Sequence, residues 1–89
     1  MQTDQDGAGG PPLPMATSTG EELFRMGLLY STGQGGAPTD YVSAHMLFNL
    51  AALRGSEEAK RHRRELAYEM DRESVAEAQR AAREWLSAA

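Results

Sequence analysis

Over residues 23–59 the sequence sets glycine and alanine where two helices would have to touch. Gly27 stands inside one helical stretch, Ala44, Ala51 and Ala52 stand inside the next, and Gly33, Gly35 and Gly36 lie between them. A glycine in mid-helix costs roughly 1 kcal/mol relative to alanine, so a glycine held there marks close helix approach. Tyr30, Asp40, Phe48, Gly55 and Ala59 complete the spacing, and no set of reactive side chains accompanies it. The pattern specifies a packing unit of an all-α chain.

The rest of the chain is organised around this unit. Residues 1–18 are rich in glycine and proline and hold little to bury, so they are expected to form a disordered tail, with residues 19–89 as a single helical domain. Pro11, Pro12 and Pro14 are read as part of that tail rather than as a polyproline II ligand. Thr19 or Ser18 followed three residues later by Glu22 or Glu21 forms a capping box, which predicts a first helix over 20–31. The glycine-rich turn through Ala37 and Pro38 ends it; a phosphate-binding reading of that turn fails because no Lys-Ser/Thr pair follows.

Asp40 caps a second helix over 41–54, its carboxylate accepting from Val42 or Ser43. Tyr41, Val42, Ala44, Met46, Leu47, Phe48, Leu50, Ala51, Ala52 and Leu53 make this helix apolar over most of its circumference, so it should lie between other elements. Gly55 closes it. A third helix over 57–70 has a weak stripe of Ala59, Leu66, Ala67 and Met70, with His62 or Arg63 filling the gap. Asp71 caps a fourth over 72–87, where Val75, Ala78, Ala82, Trp85 and Leu86 form one face. Short connections predict two stacked antiparallel helix pairs.

The stretch LFRMGLLYSTGQGGAPTDYVSAHMLFNLAALRGSEEA resembles a Sel-one-like repeat, a relative of the tetratricopeptide repeat. In that family the first helix ends Leu-Gly-x-x-Tyr, a Gly-x-Gly loop leads to Asp, and the second helix ends Ala-Ala-x-x-Gly. Gly27, Tyr30, Gly33, Gly35, Asp40, Ala44, Phe48, Ala51, Ala52, Gly55 and Ala59 occupy the matching positions. The loop is one residue longer than the usual one, and Leu47 stands where an aromatic is common. The resemblance covers Glu22 to about Ala59, and the last two helices are similar to the partial unit and cap of small proteins of this kind, known mainly from alphaproteobacteria. It implies an α-solenoid-like stack and an adaptor function.

Repeat arrays usually need about three units to be stable. Here one unit and a cap leave Leu28, Leu29, Met46, Leu50 and Leu53 as surplus apolar surface, which later helices, a second copy or another protein must cover. These five residues are the expected partner-binding face, and the expected partner is another protein or a second copy of the chain.

The basic run Lys60-Arg61-His62-Arg63-Arg64 offers an alternative, a nucleic-acid- or ribosome-associated role through Lys60, Arg61 and Arg64. Helical spacing sets Arg61 beside Glu57 and Glu65, however, and the chain carries a formal net charge of -4, so nucleic acid is disfavoured. No catalytic role is expected: there is no cysteine, and Ser31, Ser43, Ser56, Ser74 and Ser87 fall at helix ends or turns. His45 and His62 lack metal-ligand spacing, His45 being read as a surface partner of Asn49, so neither metal nor cofactor is expected. The leading residues lack the cationic and apolar pattern of a signal peptide, and no run reaches the roughly 18 apolar residues of a membrane span. A cytoplasmic location is the expectation.

Overall fold

The computed structural model describes residues 13–36 and 39–88; most of the expected tail (1–12), Ala37 and Pro38 of the turn, and Ala89 lie outside the described residues. The described backbone forms four α-helices and no strand: α1 (Gly20–Thr32), α2 (Tyr41–Leu53), α3 (Glu57–Ala67) and α4 (Arg72–Ala88).

Each helix starts where a short polar side chain can satisfy an exposed backbone amide. At α1, Thr19 Oγ1 accepts from the Glu22 N–H at 3.0 Å while Glu22 Oε1 accepts from the Thr19 N–H at 2.8 Å, a reciprocal capping box. Asp40 Oδ1 accepts from the Ser43 N–H at 3.1 Å and caps α2. Ser56 and Asp71 do the same for α3 and α4 through Ala59 and Ser74. The exits are equally local. Gly33 closes α1 at φ 74°, its N–H donating to the Leu29 carbonyl at 2.8 Å. Gly55, at φ 98°, places its own N–H on the Ala52 carbonyl and the Ser56 N–H on that of Ala51, a Schellman closure of α2.

The third helix is shorter than its sequence suggests. After Ala67, the amides of Tyr68, Glu69 and Met70 donate to carbonyls three residues back, so the expected stretch 57–70 finishes in a tighter turn. Asp71 must cap α4 immediately afterwards, and the chain reverses within those residues.

Helix α2 is the hub, and the three substantial helix packings of the fold all involve it; α3 and α4 each pack on α2 and not substantially on one another, so of the two antiparallel pairs expected from the short connections only α1–α2 forms as a packed pair. Ala44, His45, Leu47, Phe48, Leu50 and Ala51 are buried over more than half of its circumference, which accounts for much of its apolar composition, while Val42, Met46, Asn49 and Leu53 form a half-buried to exposed side. Helix α1 runs antiparallel to it: Gly20 meets Ala51 and Arg54, Gly27 meets Phe48, and the Asp40 N–H donates to the Tyr30 carbonyl at 2.9 Å. A methyl at Gly20 would lie 2.8 Å from the Arg54 carbonyl oxygen, so α1 enters with its backbone against the end of α2. Helix α3 folds back on α2, where His62 meets Phe24 and Phe48 with ring centroids 5.0 and 5.5 Å apart. Helix α4 runs alongside α2 in the same direction, from His45 near Val75 to Arg54 over Trp85. Its buried Ala78 and Ala82 let it approach closely, whereas Leu86, one step beyond Trp85, is turned outward.

Candidate interaction surface

The five leucine and methionine positions expected to form a partner face do not share one environment. Leu28, Leu29 and Met46 are half-buried and pack against the core. Leu50 is 1% exposed and is itself core, on a helix against which α1, α3 and α4 all pack. It is therefore removed from that face. Leu53, at the last turn of α2, is 64% exposed.

Next to Leu53 lies a junction absent from the sequence reading. Arg54 Nη1 donates to the carbonyls of Ala16, at 2.8 Å, and Ser18, while its guanidinium sits 5.5 Å from the centre of the Trp85 ring. Ser18 is buried, accepts from the Met15 N–H through its hydroxyl and returns its own N–H to the Met15 carbonyl, both at 2.9 Å. Residues 13–18, expected as part of a disordered tail, are thus held against the ends of α2 and α4 by one guanidinium bridging 36 and 38 residues of sequence. Among the described residues six large apolar side chains are exposed, and four of them (Leu13, Met15, Leu53 and Leu86) belong to the segments that Arg54 ties together. Leu13, Met15 and Leu86 were not legible as surface candidates. The one available signal was an arginine directly after an apolar helix and ahead of its closing glycine.

The basic run is largely engaged within its own helix. Lys60 pairs with Glu57 at 3.0 Å and Arg61 with Glu65 at 3.6 Å, so Glu57 takes Lys60 rather than the expected Arg61. Arg63 Nη1 donates to Asn49 Oδ1 at 2.8 Å. Arg64 is exposed and, among the described residues, has no carboxylate within ion-pair distance.

His45 departs most from its expected place. It is 2% exposed, not at the surface, and Asn49 is bonded to Arg63 instead of to it. Among the described residues, its Nδ1 is the one buried side-chain nitrogen or oxygen with no hydrogen-bond partner. Burial, then the positive charge of Arg63, push its pKa below the ordinary 6.5, so the neutral imidazole is favoured. His45 borders a cleft of ≈ 400 Å³ between α2, α3 and α4, with Asn49, Arg63, Arg64, Ala67, Val75 and Gln79 as its other walls.

The serines act as caps and helix-end donors. Ser31 Oγ donates to the Leu28 carbonyl, Ser43 Oγ to Asp40 Oδ2 at 2.7 Å, and the Ser56 hydroxyl accepts from Ala59. The Ser74 amide and hydroxyl hold the Asp71 carboxylate below its usual range. Among the described residues no three His, Asp or Glu side chains gather as a metal set, and no helix is long and apolar enough to cross a membrane. No protein-family model, curated protein or solved structure matches this chain.

Proposed function

We propose that the chain is a protein-interaction module, one Sel-one-like helical unit (α1–α2) followed by a partial unit (α3–α4), which docks another protein or a second copy through its apolar end. The repeat reading is supported by the positions that carry the resemblance. Gly27 lies against Phe48, Gly33, Gly35 and Gly55 have positive φ, Asp40 caps α2, and Ala44, Ala51 and Ala59 are fully buried. The parallel course of α4 along α2 is what successive units of a solenoid-like stack would have.

The observation that carries the docking surface is the exposure of Leu13, Met15, Leu53 and Leu86 on backbone that is fixed by the Arg54 junction. Fully burying a leucine stabilises a complex by roughly 1.5–3 kcal/mol, and side chains on a pre-ordered backbone lose less entropy on docking. The half-buried Leu28, Leu29 and Met46 can extend the contact where α1 and α2 face outward.

The test is sedimentation velocity at high micromolar concentration together with affinity capture from the native cells, comparing wild type with Leu53→Asp/Leu86→Asp. Self-association or a specific captured protein should disappear in the variant while helicity and Trp85 emission stay the same. Added salt should have little effect. A compact monomer that binds no hydrophobic dye and captures the same proteins with or without the substitutions contradicts the proposal. Binding that falls steeply with salt and is lost in Arg61→Glu/Arg64→Glu reassigns function to the basic face.

A further inference from the structure

We propose that the cleft between α2, α3 and α4 is a binding site for a carboxylate carried on a short apolar stem. Its chemistry is set by His45, Asn49, Arg63, Arg64 and Gln79, with Val75 and Ala67 as apolar walls.

The polar walls are rich in donors and poor in acceptors. Arg63 spends one N–H on Asn49 Oδ1, which leaves the rest of its guanidinium fork and turns the Asn49 amide nitrogen into a free donor group. Arg64 brings a second guanidinium that no carboxylate among the described residues neutralises. The Gln79 side chain adds another amide from α4, and no Asp or Glu lines the cleft. Two arginines and two amide-bearing residues line the cleft with no carboxylate among them, a composition complementary to an anion.

His45 supplies a second and independent indication. A buried imidazole nitrogen without a partner is unfavourable in a packed core. Here that imidazole is one wall of the cleft, although its Nδ1 is itself shielded from solvent.

The choice of carboxylate follows from the remaining walls. Val75 and Ala67 present methyl groups, which an alkyl stem can cover and inorganic phosphate cannot use. A planar carboxylate also matches the guanidinium fork in two parallel hydrogen bonds. No lining residue belongs to the apolar end formed by Leu13, Met15, Leu53 and Leu86, so this inference and the interaction reading stand or fall separately.

Binding has a spectroscopic signature at His45. The charged groups of the cleft are Arg63 and Arg64 from α3; α2 contributes only Asn49 beside the histidine itself, α4 contributes Val75 and Gln79, and α1 contributes none. A bound carboxylate offsets the Arg63 charge that opposes protonation, so the imidazole should titrate at higher pH when the site is filled.

The experiment is an NMR titration of the isotope-labelled full chain with butanoate, with butanamide and inorganic phosphate as parallel arms, taken to high millimolar concentration. Butanoate should produce saturable shifts at the His45 imidazole and the Asn49 and Gln79 side-chain amides, and should raise the His45 titration. Butanamide should do neither, and phosphate should bind more weakly than butanoate. Arg64→Gln, an exposed position, should weaken butanoate by about tenfold, the loss of one charge-assisted hydrogen bond, with Trp85 emission unchanged. Arg61→Gln, whose side chain lies outside the cleft on Glu65, should leave the affinity alone. The proposal is overturned if no saturable shift occurs, if Arg61→Gln weakens binding as much as Arg64→Gln, or if phosphate binds as tightly as butanoate.

Discussion

Replacing Gly27 with alanine sets two opposing effects against each other, and the structure fixes which wins. In an unconstrained helix interior the change would stabilise the chain by about 1 kcal/mol. Here the new methyl would fall 2.5 Å from Phe48 Cε1 and 2.6 Å from Cδ1, where ordinary contact is 3.4–4 Å. The ring must retreat by about 1 Å, the difference between those separations. It has little room: Phe48 is 1% exposed, with Phe24 at 5.7 Å and His62 at 5.5 Å between ring centroids. Overpacking of this kind costs about 1–3 kcal/mol, and a hemmed-in ring belongs at the upper end. The net expectation is a loss of about 2 kcal/mol, which in a domain of this size lowers Tm by roughly 8–16 °C. Urea denaturation followed by Trp85 fluorescence and helicity measures it. A double-mutant cycle isolates the cause, because in a Phe48→Leu background the obstructing ring carbons are gone and Gly27→Ala should become neutral or stabilising. If Gly27→Ala alone stabilises the wild-type chain by about 1 kcal/mol, the close approach of α1 to α2 does not exist.

Four further outcomes follow from the same geometry. Asp40→Ala removes the acceptor for the Ser43 amide and should cost about 1 kcal/mol in chemical denaturation. Ala51→Leu places bulk at a fully buried contact and should cost about 1–3 kcal/mol, with Ala52→Leu, at a half-buried position, costing less in the same assay. Arg54→Gln should free residues 13–18, seen as faster amide exchange at Ser18 and earlier proteolysis there, while the helices keep their protection. Burial and Arg63 lower the folded pKa of His45 below 6.5, so below that pH the unfolded chain binds the proton more readily. Stability should therefore hold above pH 6.5 and decline as pH falls from there toward the lowered folded value, with a smaller slope in His45→Gln; parallel pH curves for the two proteins would remove His45 from the account.

The parts of the fold that the sequence discloses are those decided within a few residues. Thr19 with Glu22, Asp40 with Ser43 and Asp71 with Ser74 place helix starts because cap and amide are three residues apart. The apolar circumference of α2 predicts its central position, and Gly27 predicts the close approach to it. What the sequence conceals depends on which distant segment covers which side. Leu50 and Leu53 look alike along the chain, yet the helices packed on α2 leave one buried and the other, at its last turn, exposed. His45 is a polar residue on a side of α2 that only the arrival of α3 and α4 closes off. The Arg54 junction depends on partners 36 and 38 residues earlier and on a ring in the last helix, separations that no local pattern encodes.

The close seam between α1 and α2 supports everything built on it, and NMR reads it directly. Strong nuclear Overhauser contacts are expected between the Gly27 α-protons and the Phe48 ring protons, with the glycine signals displaced by the ring current. Gly27 α-protons at ordinary helical shifts, with no contact to Phe48, would contradict it.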